Sequence, residues 1–267
     1  WQYFCYSMII GSISEDISIE KRVAITPEIV KKYKSIGLDV SLSKDYASHL
    51  GINDDEYMAE GASILNTDEV IDKSNLIAQM GILSDENLKK LKQNQNLIGV
   101  LNPYLNQTKL EEITKKNINC FALELLPRIT RAQSMDILSS QANLAGYKAV
   151  VDSFSYFQKA IPMMMTAAGT ISAAKVLVVG AGVAGLQAIA TAKRMGAIVF
   201  ATDVRMASKE QVESLGGKFL IVEGSENLET EGGYAKETSD DFKKKQEDLL
   251  KETLKKIDIV VCTALIP

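Results

Sequence analysis

The stretch KVLVVGAGVAG at 175–185 constrains this chain more than any other. An apolar run ends in Gly180-x-Gly182-x-x-Gly185, and an Ala-rich helical run follows. A second apolar run at 197–202 then leads into an acid, Asp203. Strand, glycine turn, helix, strand and acid in that order are the context a dinucleotide-binding βαβ unit requires. Gly180 allows the tight turn out of the strand, Gly182 lets backbone approach a pyrophosphate, and Gly185 lets the helix pack closely on the strand. The helix N-terminus near Val183 turns N–H groups and a positive dipole end toward the phosphates. Asp203, about 20 residues on, is placed to accept hydrogen bonds from an adenosine ribose and to repel a 2′-phosphate, which favours NAD(H) over NADP(H). Arg205 leaves the other choice open, because an arginine near this position can accept a 2′-phosphate.

With 267 residues the chain can build two α/β domains or one large one. A net charge of −4 without a basic patch argues against nucleic acid as a partner. No apolar run approaches the ~20 residues that span a bilayer. Cys5, Cys120 and Cys262 are far apart and lack metal-ligand spacing, so no metal is expected. They read as small buried hydrophobes in a reducing compartment. His49 sits in the turn-like stretch SHLGIND and reads as a surface residue. The leading WQYFCYS precedes Met8 and reads as the remnant of an upstream segment. It carries neither the basic flank nor the cleavage site of a signal peptide.

Apolar runs alternate with helical periodicity almost throughout, which implies parallel sheets. Strands are expected at 8–11, 39–42, 76–80, 97–101 and 120–125, then at 175–180, 197–202, 217–222 and 257–264. Thr26-Pro27-Glu28 reads as a helix start with Thr as the cap, and Gly37 as that helix's end. The stretch 133–160 reads as a long helix with few breakers. The expected architecture is α/β, with two Rossmann-like doubly wound domains joined by a long helix. It comprises an N-terminal domain at 1–135, a connecting helix at 136–160 and an NAD(H)-binding domain at 161–267. The second sheet is expected to continue past Pro267, so that domain reads as incomplete. The acidic, polar segment 223–241, with Gly232-Gly233-Tyr234, reads as a lid or as disorder.

Several stretches together resemble one family. They are RVAITP at 22–27, RITRAQSMDILSSQANLAGYKAV at 128–150, AAGTISAAKVLVVGAGVAGLQAIATAKRMGA at 167–197, Asp203-Val204-Arg205, KEQVESLGGKF at 209–219 and EGGYAKE at 231–237. The resemblance is to the NAD(H)-binding domain I of the proton-translocating NAD(P) transhydrogenases. It covers about 8–267, is densest from Arg128 onward, and is most specific at RAQSMD. It implies direct hydride transfer from NADH to NADP⁺ held on a partner domain, coupled to proton movement through a membrane-spanning domain. It also implies a homodimer, and a soluble domain peripheral to a membrane, on the cytoplasmic or matrix face.

Carried over by position, the resemblance places Arg128, Gln133, Asp136 and Ser139 around the nicotinamide end, with Ile129, Thr130, Ser134 and Met135 also binding the cofactor. It places Gly180, Gly182, Val183, Ala184 and Gly185 on the pyrophosphate, and Asp203, Val204 and Arg205 on the adenosine. Gly233 and Tyr234 would lie on a closing loop, with Gln246 and Leu265 lining the site. Direct transfer between two nicotinamides needs two rings held in contact and water kept out, rather than a side-chain acid or base. Arg128 and Asp136 are then a pair that orients a carboxamide, or a structural pair at a domain junction. Alanine dehydrogenases share this resemblance, including RVAITP. They use a lysine and a histidine, whereas LIAQMGIL at 76–83 has no lysine and Asn102 stands at the histidine's place. A nucleotide-binding or sensor module without chemistry of its own is the third class.

Overall fold

The computed structural model describes residues 8–222 and 240–264. The chain divides into two compact units, Trp1–Asp136 and Ile137–Pro267. Both are α/β units on a parallel sheet, the class expected from the alternation of apolar and helical runs.

The first unit carries β1 (Ile9–Ser12), β2 (Asp39–Ser43), β3 (Ser63–Leu65), β4 (Leu76–Ala78), β5 (Asn96–Gly99) and β6 (Asn119–Ala122). All five pairings are parallel, in the order β3-β2-β1-β4-β5-β6. This is the doubly wound order, with its switch point between β1 and β4. Side chains alternate across the sheet. Ile10 and Val40 join one buried cluster with Ile25, Val30 and Leu42, while Ile77 and Leu97 join another with Val70 and Ile71.

The crossover helices are α1 (Pro27–Ser35), α2 (Asp54–Ala59), α3 (Thr67–Lys73), α4 (Asp85–Lys90) and α5 (Gln107–Lys115). Helix α1 begins at the expected Thr26-Pro27 junction, but the Thr26 side chain makes no capping hydrogen bond. Helix α3 carries a full capping box, in which Glu69 N donates to Asn66 Oδ1 at 2.9 Å and Asn66 N donates to Glu69 Oε2 at 3.2 Å.

The second unit opens with α6 (Ile137–Tyr156), so the helix expected to join two domains packs within this unit, against α7 (Val183–Arg194). Between them lies an exposed antiparallel hairpin, β7 (Met164–Thr166) and β8 (Gly169–Ile171). The parallel sheet follows, built from β9 (Lys175–Val179), β10 (Ile198–Thr202), β11 (Lys218–Phe219) and β12 (Ile259–Cys262), in the order β11-β10-β9-β12. Helices α8 (Ser208–Ser214) and α9 (Asp240–Leu254) complete the described residues. Val176, Val178, Val199, Ala201 and Val261 from the sheet meet Ala188, Ile189 and Ala192 of α7 and Val150 and Phe154 of α6 in one core.

Cys120 and Cys262 are exposed, which corrects their reading as buried hydrophobes. Each lies on a strand at one end of its described sheet: Asn119, Cys120 and Phe121 of β6 are all exposed, and in β12 exposed side chains alternate with buried ones. Cys5 lies outside the described residues.

Candidate nucleotide site

The second sheet switches direction between β9 and β12, and the crevice beyond the carboxyl ends of such strands is where doubly wound folds bind ligands. The glycine loop leaves β9 at this point. Gly180 has φ +92, and a Cβ there would lie 2.7 Å from Ala264 N. A glycine is therefore required on both conformational and steric grounds. Gly185 is closed off as well, since a Cβ would stand 2.8 Å from the Gly180 carbonyl carbon, with the oxygen nearer still.

Gly182 differs from both. Its backbone is extended, φ −77 and ψ −166, which any residue adopts. The nearest atom to a Cβ there would be Arg205 Nη2, at 3.8 Å. Neither strain nor packing against the described residues accounts for a glycine at 182, so the open space beside it suits the approach of a bound group. Helix α7 starts at Val183 with no side-chain cap and no acid in its first turn. Its first intrahelical donor is Leu186 N, to Gly182 O at 2.8 Å. The N–H groups of Val183 and Ala184 thus belong to the helix terminus that suits an anion.

The loop is tethered on two sides. On the β10 side, Ala181 N donates to Asp203 Oδ2 at 2.7 Å. On the β12 side, Thr263 Oγ1 donates to Gly180 O at 2.8 Å. Asp203 follows the last residue of β10, and its side chain is only 6% exposed. Beyond Ala181, it accepts from Arg205 N at 2.8 Å, Arg205 Nε at 2.9 Å and Arg205 Nη2 at 2.9 Å. Burial alone raises an acid's pKa, but the Arg205 guanidinium and the backbone N–H donors outweigh it and hold the Asp203 carboxyl below the usual range. The acid is therefore ionised at neutral pH. Val204 is half-buried between the pair, and Gln246 is half-buried on α9. Gly233, Tyr234 and Leu265 lie outside the described residues, as does the expected lid apart from Asp240 and Asp241 at the start of α9.

The other set of expected residues lies around the boundary of the two units. A 3₁₀ segment, Thr130–Met135, carries Thr130, Gln133, Ser134 and Met135, all exposed. Arg128 and Ile129 precede it, also exposed, and half-buried Asp136 caps it with its N–H on Gln133 O at 3.3 Å. The buried Ala132 anchors the segment. Ser139 is half-buried in the first turn of α6, in the second unit.

In the first unit, Gln79 follows β4 and is buried with every hydrogen-bonding position used. Its Oε1 accepts from Ser12 Oγ at 3.0 Å and Ile13 N at 2.8 Å, and its Nε2 donates to Ile13 O and Glu15 Oε1, each at 3.1 Å. Asn102 has φ +45, and its N–H donates to Glu124 Oε1 at 2.5 Å. His49 is exposed, with Nε2 2.7 Å from Lys21 O. Among the described residues no cluster of His, Cys, Asp or Glu could hold a metal, and no helix is long and apolar enough to cross a membrane.

Sequence reasoning missed Thr263 and Gly146. The signal for Thr263 was a hydroxyl ending an otherwise apolar strand. For Gly146 it was an isolated glycine inside a helix.

Comparison with known proteins identifies the family. The family described as alanine dehydrogenase/PNT, N-terminal domain, matches residues 11–145, and its C-terminal domain matches 149–267. An NAD(P) transhydrogenase alpha-subunit protein of Rickettsia prowazekii is 49% identical over 265 residues, covering 97% of this chain and 69% of the relative. A transhydrogenase structure from Sinorhizobium meliloti superposes with a TM-score of 0.84 at 43% identity, covering 97% of this chain and 70% of that one. An L-alanine dehydrogenase structure superposes at 0.69 with 20% identity, covering 80% of this chain and 60% of that one, which is a likeness of fold.

Proposed function

This chain belongs to the NAD(P) transhydrogenase alpha-subunit branch of the alanine dehydrogenase/PNT family of oxidoreductases, and from that premise we propose that it is the component that holds NAD(H) and positions it for direct hydride transfer to NADP⁺ on a partner domain. The observation that carries this reading is Gly182, a glycine that neither backbone strain nor any described residue explains, beside a helix N-terminus and an ionised carboxylate. The nicotinamide supplies the hydride chemistry when bound. The chain's own residues bind, orient and exclude water.

Gly180, Gly182, Val183, Ala184 and Gly185 hold the pyrophosphate in this reading, while Asp203, Val204 and Arg205 meet the adenosine. Arg128, Ile129, Thr130, Gln133, Ser134, Met135, Asp136 and Ser139 place the nicotinamide, with Gln246, Leu265, Gly233 and Tyr234 completing the enclosure. The reaction is coupled to proton translocation through a membrane-spanning domain, so this component works at the membrane's surface. It works as a homodimer. The hairpin β7–β8, with exposed Met164, Met165 and Ile171, is an apolar surface of the kind a second copy would cover.

An amino-acid dehydrogenase is disfavoured. At the stretch where the lysine is needed, Gln79 is a saturated structural residue, and Asn102 serves a turn. The deciding experiment mixes the protein with an NADP(H)-binding domain and follows hydride transfer to an NAD analogue, with calorimetric titration of NADH. Transfer with submillimolar NADH binding is expected. Absence of NADH binding, or alanine-dependent NADH formation, refutes the proposal.

A further inference from the structure

The peptide unit between Gly180 and Ala181 is held at both ends. Its carbonyl accepts from Thr263 Oγ1 at 2.8 Å, and its N–H donates to Asp203 Oδ2 at 2.7 Å. A trans peptide points these two groups in opposite directions. Strand β9 lies between β10 and β12, so the carboxylate holds the unit from one flank and the hydroxyl from the other. Thr263 has one hydroxyl proton to give. Val179 O lies 3.3 Å from the same oxygen, so the bond to Gly180 is the shorter and stronger of the two. The third glycine of the loop rests on that bond. A Cβ at Gly185 would stand 2.8 Å from the Gly180 carbonyl carbon and 2.9 Å from Thr263 Oγ1. The first turn of α7 therefore lies directly against the Gly180 carbonyl and the hydroxyl that holds it. The N–H groups of Val183 and Ala184 belong to the same turn.

We propose that Thr263 is a positioning residue for the cofactor. Its hydroxyl fixes the Gly180 carbonyl, the carbonyl seats the first turn of α7, and the N–H groups of that turn are thereby aimed at the pyrophosphate. Thr263 acts through Gly180 rather than by contact with the nucleotide. A glycine at φ +92 has wide conformational freedom and does little to set its own carbonyl. The orientation has to come from a partner, and β12 supplies it from the far end of the second unit. A valine at 263 keeps the branched shape that suits the end of a strand but brings no donor. A serine keeps the donor and loses only the methyl group.

This inference rests on the reading that the chain binds NAD(H). It is tested on the whole chain with the parent, Thr263→Val, Thr263→Ala and Thr263→Ser, each checked for folding by its thermal transition. Calorimetric titration with NADH, and with ADP as a pyrophosphate without nicotinamide, reads binding. Hydride transfer to an NADP(H)-binding domain reads KM and kcat. Both variants that lack the hydroxyl should bind NADH and ADP about three- to tenfold more weakly, the range that follows from one neutral hydrogen bond. KM for NADH should rise by the same factor with kcat near the parental value, because the pyrophosphate is held alike in ground and transition state. Thr263→Ser should restore the affinity for both ligands. Parental affinity in Thr263→Val and Thr263→Ala overturns the inference. So does a serine variant as weak as the valine one, since packing rather than the donor would then be at work. A loss for NADH without a loss for ADP overturns it too, because the effect would lie away from the pyrophosphate. Failure of the parent to bind NADH overturns the underlying reading instead, so the failures are distinct.

Discussion

At Gly146 the backbone of α6 lies against the first turn of α7, and replacing it tests the packing under the glycine loop. An alanine Cβ there would stand 3.0 Å from Ala184 Cα and 2.8 Å from its carbonyl carbon, with the carbonyl oxygen nearer still. Those atoms are backbone in the first turn of α7, so no side chain can swing aside. The helices must part by roughly 1 Å, and overpacking of this kind costs about 1–3 kcal/mol. A rigid backbone wall puts the cost at the upper end. Against it stands intrinsic propensity, since alanine in a helix interior is better than glycine by about 1 kcal/mol. The two terms have opposite sign and packing wins, leaving Gly146→Ala about 2 kcal/mol less stable. For a unit of this size that is a fall of about 4–8 °C in the melting midpoint. The displacement also falls on Ala184, beside the expected pyrophosphate position, so NADH affinity should drop with stability. Calorimetric melts and NADH titration of parent and variant read both effects. A variant that melts higher than the parent, as propensity alone dictates, would falsify the close crossing.

Gly182→Ala should fold with the parental melting midpoint yet bind NADH at least tenfold more weakly, because its Cβ meets no atom of the described residues nearer than Arg205 Nη2 at 3.8 Å but intrudes on the approach of a pyrophosphate; Gly185→Ala should instead lose stability, and equal melting of the two variants would contradict this division. The pH dependence follows from the lowered Asp203 carboxyl. A carboxylate depressed in the folded state contributes stability that is present above the unfolded value of about 3.9 and is lost as pH falls through the folded one. The melting gap between parent and Asp203→Asn should therefore be widest above about pH 5 and close below about pH 4; a gap that stays constant down to pH 3 counts against the Asp203–Arg205 pair as its cause. Gln133→Asn and Asp136→Asn should slow hydride transfer to an NADP(H)-binding partner more than they weaken NADH binding, because small misplacement of a reacting ring is costly in rate. Parental transfer rates in both would make that segment structural only.

The sheets were legible because parallel strands buried on both faces read as continuous apolar runs. KVLVV, buried along its centre, reads this way without a partner, whereas IVVC reads as apolar although Val260 and Cys262 are exposed. Strand β3 was missed because it is a three-residue edge strand with Ser63 exposed and no second apolar period. The hairpin β7–β8 was missed because all six of its residues are exposed, so neither face is patterned by a core. Cysteine chemistry misled, since burial is a matter of strand position and not of residue type. In the site, the glycine spacing and Asp203 were readable as a local motif. The guanidinium on Asp203 was not, because spacing alone does not say whether an arginine two residues on faces its acid or a ligand. Thr263 stood out as a hydroxyl closing an apolar run, but its role as a tether did not, because its partner Gly180 is distant in the chain.

That distance has a consequence for how the protein is made. The glycine loop takes one of its two tethers from Thr263, beyond β12, although β9 and the loop are synthesised much earlier. A growing chain that has already exposed the whole fingerprint and α7 still lacks the strand that fixes Gly180. Closing so long a span costs chain entropy before any contact rewards it, and such non-local pairings are slow. The glycine loop is therefore among the last regions of the second unit to take its final shape. Until β12 docks, β9 presents an apolar strand edge to whatever is nearby, a hazard typical of incompletely folded α/β chains.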